Sequence, residues 1–473
     1  MQINDLPGEV LDLILDKVAE KRRYYAWAHI HDMCQARLVC RKWNNLVANH
    51  LFKTITLYHS GKTAARDFES WNKLLNQKAI RDTVQRVVIE TCPAKLSSER
   101  DYETWEKWEN EGEWPAFTSA VERISELDKL QSVEVRFSEW CRGWKNRGRW
   151  DDDREMPETR ENSLKSVLKG LQQREARQLE DDGAEITTVR ELKLENLQND
   201  SLPSELTDAL FKGIERLHIL ICEECNQHGP DHDLGLTERV LYEPELQYSL
   251  LPSVANQLVE LTLSAQYSWG VMPGVFDGVG LDFPRLKTLT LSDYAIGHNK
   301  QFDWVTKQKT LTCLRLNNCH IVSHIRVYQE QLDEWGIEVD DWEKVDGTFY
   351  FGEDEDEVYL FSKRWDAVFD SIREGLPQLT DFSLSWENSS EEFFRNPHAT
   401  GVNDRWEERY FTFEAGLLPS PFVDSGEFGY WSDDDEEDPD PKRPYNLAQF
   451  TDEEDRRAFD ALIKETLERR RKL

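Results

Sequence analysis

Residues 286–292 read Leu286-Lys-Thr-Leu289-Thr-Leu291-Ser292: an apolar position, two residues, an apolar position, one residue, an apolar position. The same phrase returns seven more times. Val84, Val87 and Ile89 carry it first, then Leu130, Val133 and Val135, then Val189, Leu192 and Leu194, then Ile214, Leu217 and Ile219. Leu258, Leu261 and Leu263, then Leu311, Leu314 and Leu316, then Leu379, Phe382 and Leu384 complete the set. Side chains alternate across a strand, so positions two apart share a face. The apolar members are therefore expected to face a core in neighbouring parallel strands. Their neighbours, such as Glu191, Lys193 and Glu195 or Thr288, Thr290 and Ser292, face the other way. That outward row is polar, mixed in charge, and smaller toward the C-terminal half. Leu192 and Leu217 lie 25 residues apart, Leu261 and Leu289 28, and Leu289 and Leu314 25. The other gaps, of 46, 59, 44 and 68 residues, hold insertions or degenerate units. Stretches 302–309 and 363–375 read as helices ahead of two of the strands. An α/β chain of this kind buries its apolar faces by stacking units that cannot bury them alone.

The third phrase ends in Glu195-Asn196-Leu197 and the seventh in Asn317-Asn318-Cys319. Both resemble the Leu-x-x-Leu-x-Leu-x-x-Asn/Cys core of leucine-rich repeats, whose period is about 20–29 residues. The resemblance implies an irregular solenoid with long insertions. Its outward strand row would line a concave face for partners, and Thr288, Thr290, Ser292, Arg315 and Asn317 are the candidate substrate-binding residues. Short Leu-rich phrases also occur in other α/β proteins.

The N-terminus carries a second signal. Residues 4–15 read Asn-Asp-Leu-Pro-Gly-Glu-Val-Leu-Asp-Leu-Ile-Leu, and residues 36–47 read Ala-Arg-Leu-Val-Cys-Arg-Lys-Trp-Asn-Asn-Leu-Val. Asp5 can cap a helix, Pro7 suits its first turn, and Glu9 faces the positive end of the dipole. Val10, Leu11, Leu13, Ile14, Leu15 and Val18 then cover roughly 200° of that helix, where an ordinary surface helix needs about 100°. Leu38, Val39, Cys40, Trp43, Leu46 and Val47 repeat the excess. About 50 residues cannot bury two such helices unaided, so the surplus face meets either the rest of the chain, as a cap, or another protein.

Leu6-Pro7-x-Glu9-Val10 followed by Leu38-Val39-Cys40-Arg41-Lys42-Trp43 resembles the F-box family, with a connector over residues 19–35 a few residues longer than the usual pattern. Taken with the repeats, the chain resembles fungal-type F-box/leucine-rich-repeat substrate receptors. The resemblance implies a three-helix bundle docking on the Skp adaptor of a cullin–RING ubiquitin ligase. Leu6, Pro7, Val10, Ile14, Leu38, Val39 and Trp43 would carry the bundle and its adaptor surface. The implied plan is an F-box-like bundle over 1–50, the solenoid over 51–423, an acidic linker over 424–445 and a C-terminal amphipathic helix over 446–473. The rival plan is a repeat scaffold outside any ligase, with the bundle as its N-terminal cap.

Composition narrows the function class. The chain has 473 residues, with 91 acidic against 58 basic and a net charge of −33. Nucleic-acid binders draw affinity from basic faces that neutralise phosphates, so that class is not expected. A basic protein partner is. The 17 Trp, 21 Phe and 14 Tyr supply ample core. No apolar signal segment follows Met1 and no run of about 18 apolar residues occurs. Eight scattered cysteines read as free thiols, several of them buried in apolar patterns, in a reducing compartment. These features set the expectation of a cytoplasmic or nuclear protein, with no membrane partner.

The motifs of phosphate loops, nucleophile elbows and zinc proteases are missing. Neither enzymatic activity nor a cofactor is therefore expected. Cys222-x-x-Cys225-x-x-His228-x-x-x-His232 is metal-like, but Cys222 closes a strand phrase and structural zinc sites separate their ligand pairs by a longer loop, so no metal is expected. Trp105, Trp108 and Trp114, set among acids, suit either a docking loop or packing on the solenoid, with packing favoured. Residues 348–351 and 358–361 flank an acidic run and read as a β-hairpin. Thr451 and Glu454 read as a capping box for a helix over 451–472 with an apolar stripe of Phe459, Leu462, Ile463 and Leu467.

Overall fold

The computed structural model describes residues 6–20, 26–59, 63–92, 114–138, 141–142, 155–180, 185–222, 224–225, 237–271, 274–334, 337–345, 356–386, 390–395, 406–414 and 447–472. The chain divides into two compact units, Met1–Arg136 with Glu158–Lys193, and Phe137–Pro157 with Leu194–Leu473.

The first unit opens on helices α1 (Gly8–Glu20), α2 (Ala26–Ala36) and α3 (Arg41–Phe52). Pro7 stands just ahead of α1, and its carbonyl accepts the Leu11 N–H at 3.1 Å. Proline is tolerated at such a start because no intrahelical N–H is lost. The three helices pack around buried Leu15, Met33 and Val47, with Ala36, Trp43, Leu46 and Leu51 against that cluster.

Strands β1 (Thr54–Leu57), β2 (Arg86–Glu90) and β3 (Ser132–Arg136) follow as parallel neighbours. Ile55 pairs with Val87, and Val87 with Val133, so the apolar positions form in-register ladders. Strand β1 carries the same phrase as Phe52, Ile55 and Leu57, a further instance beyond the eight. A 24-residue helix, Pro157–Glu180, lies within the long insertion after β3. Its Arg174 donates to the carbonyls of Leu127, Asp128 and Leu130, holding the turn before β3.

The division between the units falls inside β4 (Glu191–Gln198). In the second unit β5 (Arg216–Cys222), β6 (Glu260–Ala265), β7 (Thr288–Ser292), β8 (Cys313–Asn317) and β9 (Asp381–Ser385) continue the parallel order. Leu217 pairs with Leu261, Leu261 with Leu289, Leu289 with Leu314, and Leu314 with Phe382. Every apolar member of the eight phrases is buried. The 68-residue step from Leu314 to Phe382 leaves β8 and β9 adjacent, so the insertion loops out without breaking the ladder.

That insertion supplies three strands of a second sheet, which also takes Ala295–Ile296 from before β8 and Tyr410–Glu414 from after β9. His320–Tyr328 pairs antiparallel with Asp356–Leu360 and parallel with Tyr410–Glu414, and Glu343–Val345 pairs antiparallel with Asp356–Leu360. The antiparallel partner of 356–360 is thus 343–345, upstream of the expected 348–351 arm, which lies outside the described residues; of the expected acidic tip at 352–357, Asp356 and Glu357 belong to the strand. Helix α4 (Trp365–Gly375) leads into β9. The C-terminal helix is α6 (Leu447–Arg470), and it packs on α4 and β9. It starts before Thr451, so the expected capping box is not one. Thr451 is buried inside the helix, and its hydroxyl meets the Asp455 carboxylate at 2.7 Å. Asp455 accepts from Arg409 Nε at 2.8 Å and from the Asp366 N–H at 2.8 Å, so one buried carboxylate ties α6 to the first turn of α4. Leu462 is buried, whereas Leu467 at the end of the expected stripe is exposed.

Candidate docking surfaces

Helices α1 and α3 run side by side. Lys42 Nζ donates to the Leu6 carbonyl at 2.7 Å, and His50 Nε2 meets Asp12 Oδ1 at 2.8 Å. The second contact holds the last turn of α3 to the middle of α1, and the first brings the start of α3, and the turn before it, to the start of α1. Around that end the apolar excess is left outside the core. Val10 is 39% exposed, Leu13 64%, Leu38 79% and Val39 54%. The turn holding Leu38 and Val39 is fixed by the Leu38 N–H on the Gln35 carbonyl and the Val39 N–H on the Ala36 carbonyl. Of the other candidates, Pro7 is exposed, Leu6 and Ile14 are half-buried, and Trp43 packs against the helix core. Single exposed apolar side chains are ordinary, but several gathered at one end of a helix pair mark an interaction face.

The outward strand row differs from the sequence picture of an open face. Thr290, Ser292 and Asn317 are buried and Thr288 is half-buried. Asn317 Nδ2 donates to Ser292 Oγ at 3.2 Å, and Ser385 Oγ donates to Asn317 Oδ1 at 2.9 Å. Arg315 donates to Asp381 Oδ2 at 3.1 Å. Earlier in the row Arg86 and Arg136 both grip Glu134. Burial alone would raise that carboxyl, but the two guanidiniums overcome it and hold it down at about 2.

Over β5 and β6 the row is covered by a helix that the periodicity did not announce, α5 (Ser390–Arg395). Phe393 and Phe394 are buried. Ser390 Oγ donates to Asp293 Oδ2 at 2.7 Å, and Arg395 Nε donates to Glu195 Oε1 at 3.0 Å. Asp293 has φ +60 and is half-buried, and desolvation by the surrounding protein pushes its carboxyl up to about 7 against hydrogen bonds from Ser292, Ser390 and Asn318.

Trp114, from the tryptophan-rich insertion, packs its ring on Phe68 and His59, with centroids 5.1 and 5.2 Å away; Trp105 and Trp108 lie outside the described residues. Cys222 is core and its thiol donates to the Asn196 carbonyl at 3.3 Å, whereas His228 and His232 lie outside the described residues. Among the described residues no group of three or more His, Cys, Asp or Glu is placed to hold a metal.

Residues 29–55 match the F-box domain. The match begins inside α2, runs through α3 to the start of β1, and includes Leu38, Val39 and Trp43. It begins after Leu6, Pro7, Val10 and Ile14. No curated protein matches the chain. The chain is thus a mixed α/β protein with a parallel sheet and an F-box near its N-terminus.

Proposed function

We propose that this protein is the substrate-recognition subunit of an SCF-type cullin–RING ubiquitin ligase. The three N-terminal helices form the F-box bundle, and the parallel strand ladder is a leucine-rich-repeat-like solenoid. Val10, Leu38 and Val39, with Leu6, Pro7, Ile14 and Trp43 shaping the surface, meet the Skp adaptor, and the solenoid holds a protein substrate. The chain does no bond chemistry itself; it raises the effective concentration of a substrate lysine at the ligase. What carries this reading is the exposure of Leu38 and Val39 inside the segment that matches the F-box domain. A helical cap would need those side chains covered by its own chain.

The test is capture of purified adaptor by the full chain. Leu38→Asp with Val39→Asp is expected to abolish capture, because it places two charges in an apolar interface, while the thermal unfolding midpoint stays unchanged. The pair Leu6→Ala with Pro7→Ala is expected to act in the same direction. Undiminished capture by the aspartate variant would leave a repeat scaffold outside any ligase as the better reading.

A further inference from the structure

We propose that α5 is an internal occupant of the substrate surface, and that the segment recognised there is a short helix-forming peptide with a hydroxyl residue, an aromatic pair and an arginine, spaced as in Ser390, Phe393, Phe394 and Arg395. This rests on the substrate-receptor reading above.

Four observations lead there. The strand row beneath α5 carries buried polar side chains, Thr262 and Ser264 on β6 and His218 on β5, with Leu220 the buried apolar member beside them. A face meant for permanent burial is normally apolar, as the leucine side of the same strands is. Secondly, the two ends of α5 are held by polar contacts and not by core: Ser390 on Asp293, and Arg395 on Glu195. Glu195 is fully buried, a carboxylate that needs a cation, and Arg395 supplies it from 200 residues away in sequence. Thirdly, α5 has six residues. Isolated helices shorter than about 12 residues are marginal in water, so its docking alone keeps it formed, and its removal breaks no strand pairing. Fourthly, the fit is incomplete. The Ser264 hydroxyl is buried without a hydrogen-bond partner among the described residues, so an external segment with a polar group at that point would bind better than α5 does.

A substrate must then displace α5, and its apparent affinity is reduced by the fraction of molecules in which the surface is free. Release of α5 bares the aromatic subsites and Glu195 together.

The experiment uses the full chain and a labelled peptide of residues 386–396, read by fluorescence anisotropy. The variant Phe393→Ala with Phe394→Ala weakens the internal occupant without altering the strands. It is expected to bind the peptide at least ~tenfold tighter than the unaltered chain does. Adding Glu195→Gln to that variant, or using a peptide with glutamate at the arginine position, is expected to remove the gain. Equal binding by the two proteins, each showing a cooperative melt, overturns the proposal. If the double variant gives no cooperative melt, Arg395→Glu takes its place, since it alters the half-exposed end of α5, and equal binding there overturns the proposal as well. Adaptor capture is measured on the same proteins. Failure of the unaltered chain to capture adaptor, with the peptide gain intact, counts against the ligase reading and leaves the internal occupant standing.

Discussion

Asp293 follows β7 with φ +60, a conformation that aspartate and asparagine tolerate better than other non-glycine residues. Its carboxyl sits near 7 in the folded chain against an ordinary 3.8. Between those values the folded state keeps a proton that the unfolded state releases. Its contribution to stability is present below about pH 4 and lost as pH rises through 7. Asparagine keeps the backbone conformation and a hydrogen-bonding oxygen without the desolvated charge. Asp293→Asn is therefore expected to gain more in unfolding midpoint at pH 8 than at pH 5, relative to the unaltered chain. An equal shift at both values would show that the carboxyl does not titrate in that window. Gly278 presents the opposite case. Its φ is +66, and a Cβ there would run into the indole of buried Trp304. Gly278→Ala combines backbone strain with overpacking and is expected to cost roughly 2–4 kcal/mol, read as a lower denaturation midpoint with an unchanged slope.

At the level of elements, the leucine ladder was legible because two signals agree: a period of two for strands, and leucine at the positions that meet across neighbours. Leu289 lies in register between Leu261 and Leu314, so Leu289→Ala opens a cavity inside a packed ladder. It is expected to cost ~2–5 kcal/mol in a denaturant melt, far more than Leu241→Ala, whose side chain is half-exposed. Strand β1 escaped the reading because its phrase starts at Phe52, the last residue of α3, where a helical period is still running. His320–Tyr328 escaped because it follows β8 after only two residues and carries no separate phrase of its own. The six residues of α5 have no period to read, and their position over β5 and β6 is a tertiary fact. For the same reason the sequence showed which side chains form the outward row but not that the chain covers them. The adaptor candidates were legible as an apolar surplus. Which of them stay outside the core became visible only once α1 and α3 were placed side by side.

At the scale of the molecule, acidity works mainly through histidine among the described residues. Burial holds His59, His320 and His324 each down at about 4, against an ordinary 6.5. For a base whose folded value is depressed, the stability it contributes is present above about pH 6.5 and lost as pH falls through 4, because the unfolded state takes up protons that the folded state refuses. Asp293 acts in the opposite sense over an overlapping range, but as a single group against these histidines and His298, which burial also lowers. Glu134, held at about 2, loses its ion pairs at lower pH still. The urea midpoint of the full chain is therefore expected to hold steady near neutrality and to fall steadily between pH 6.5 and 4. His320 offers the sharpest check. Its Nδ1 lies 2.6 Å from the Glu408 carbonyl, so the ring donates there as a neutral imidazole. Glutamine keeps a donor without a titrating group. His320→Gln is expected to lower the midpoint at pH 7 through lost packing and to shrink the difference between pH 7 and pH 4.5. If that difference is unchanged, His320 already carries its proton in the folded chain, and the acid sensitivity arises elsewhere in the molecule.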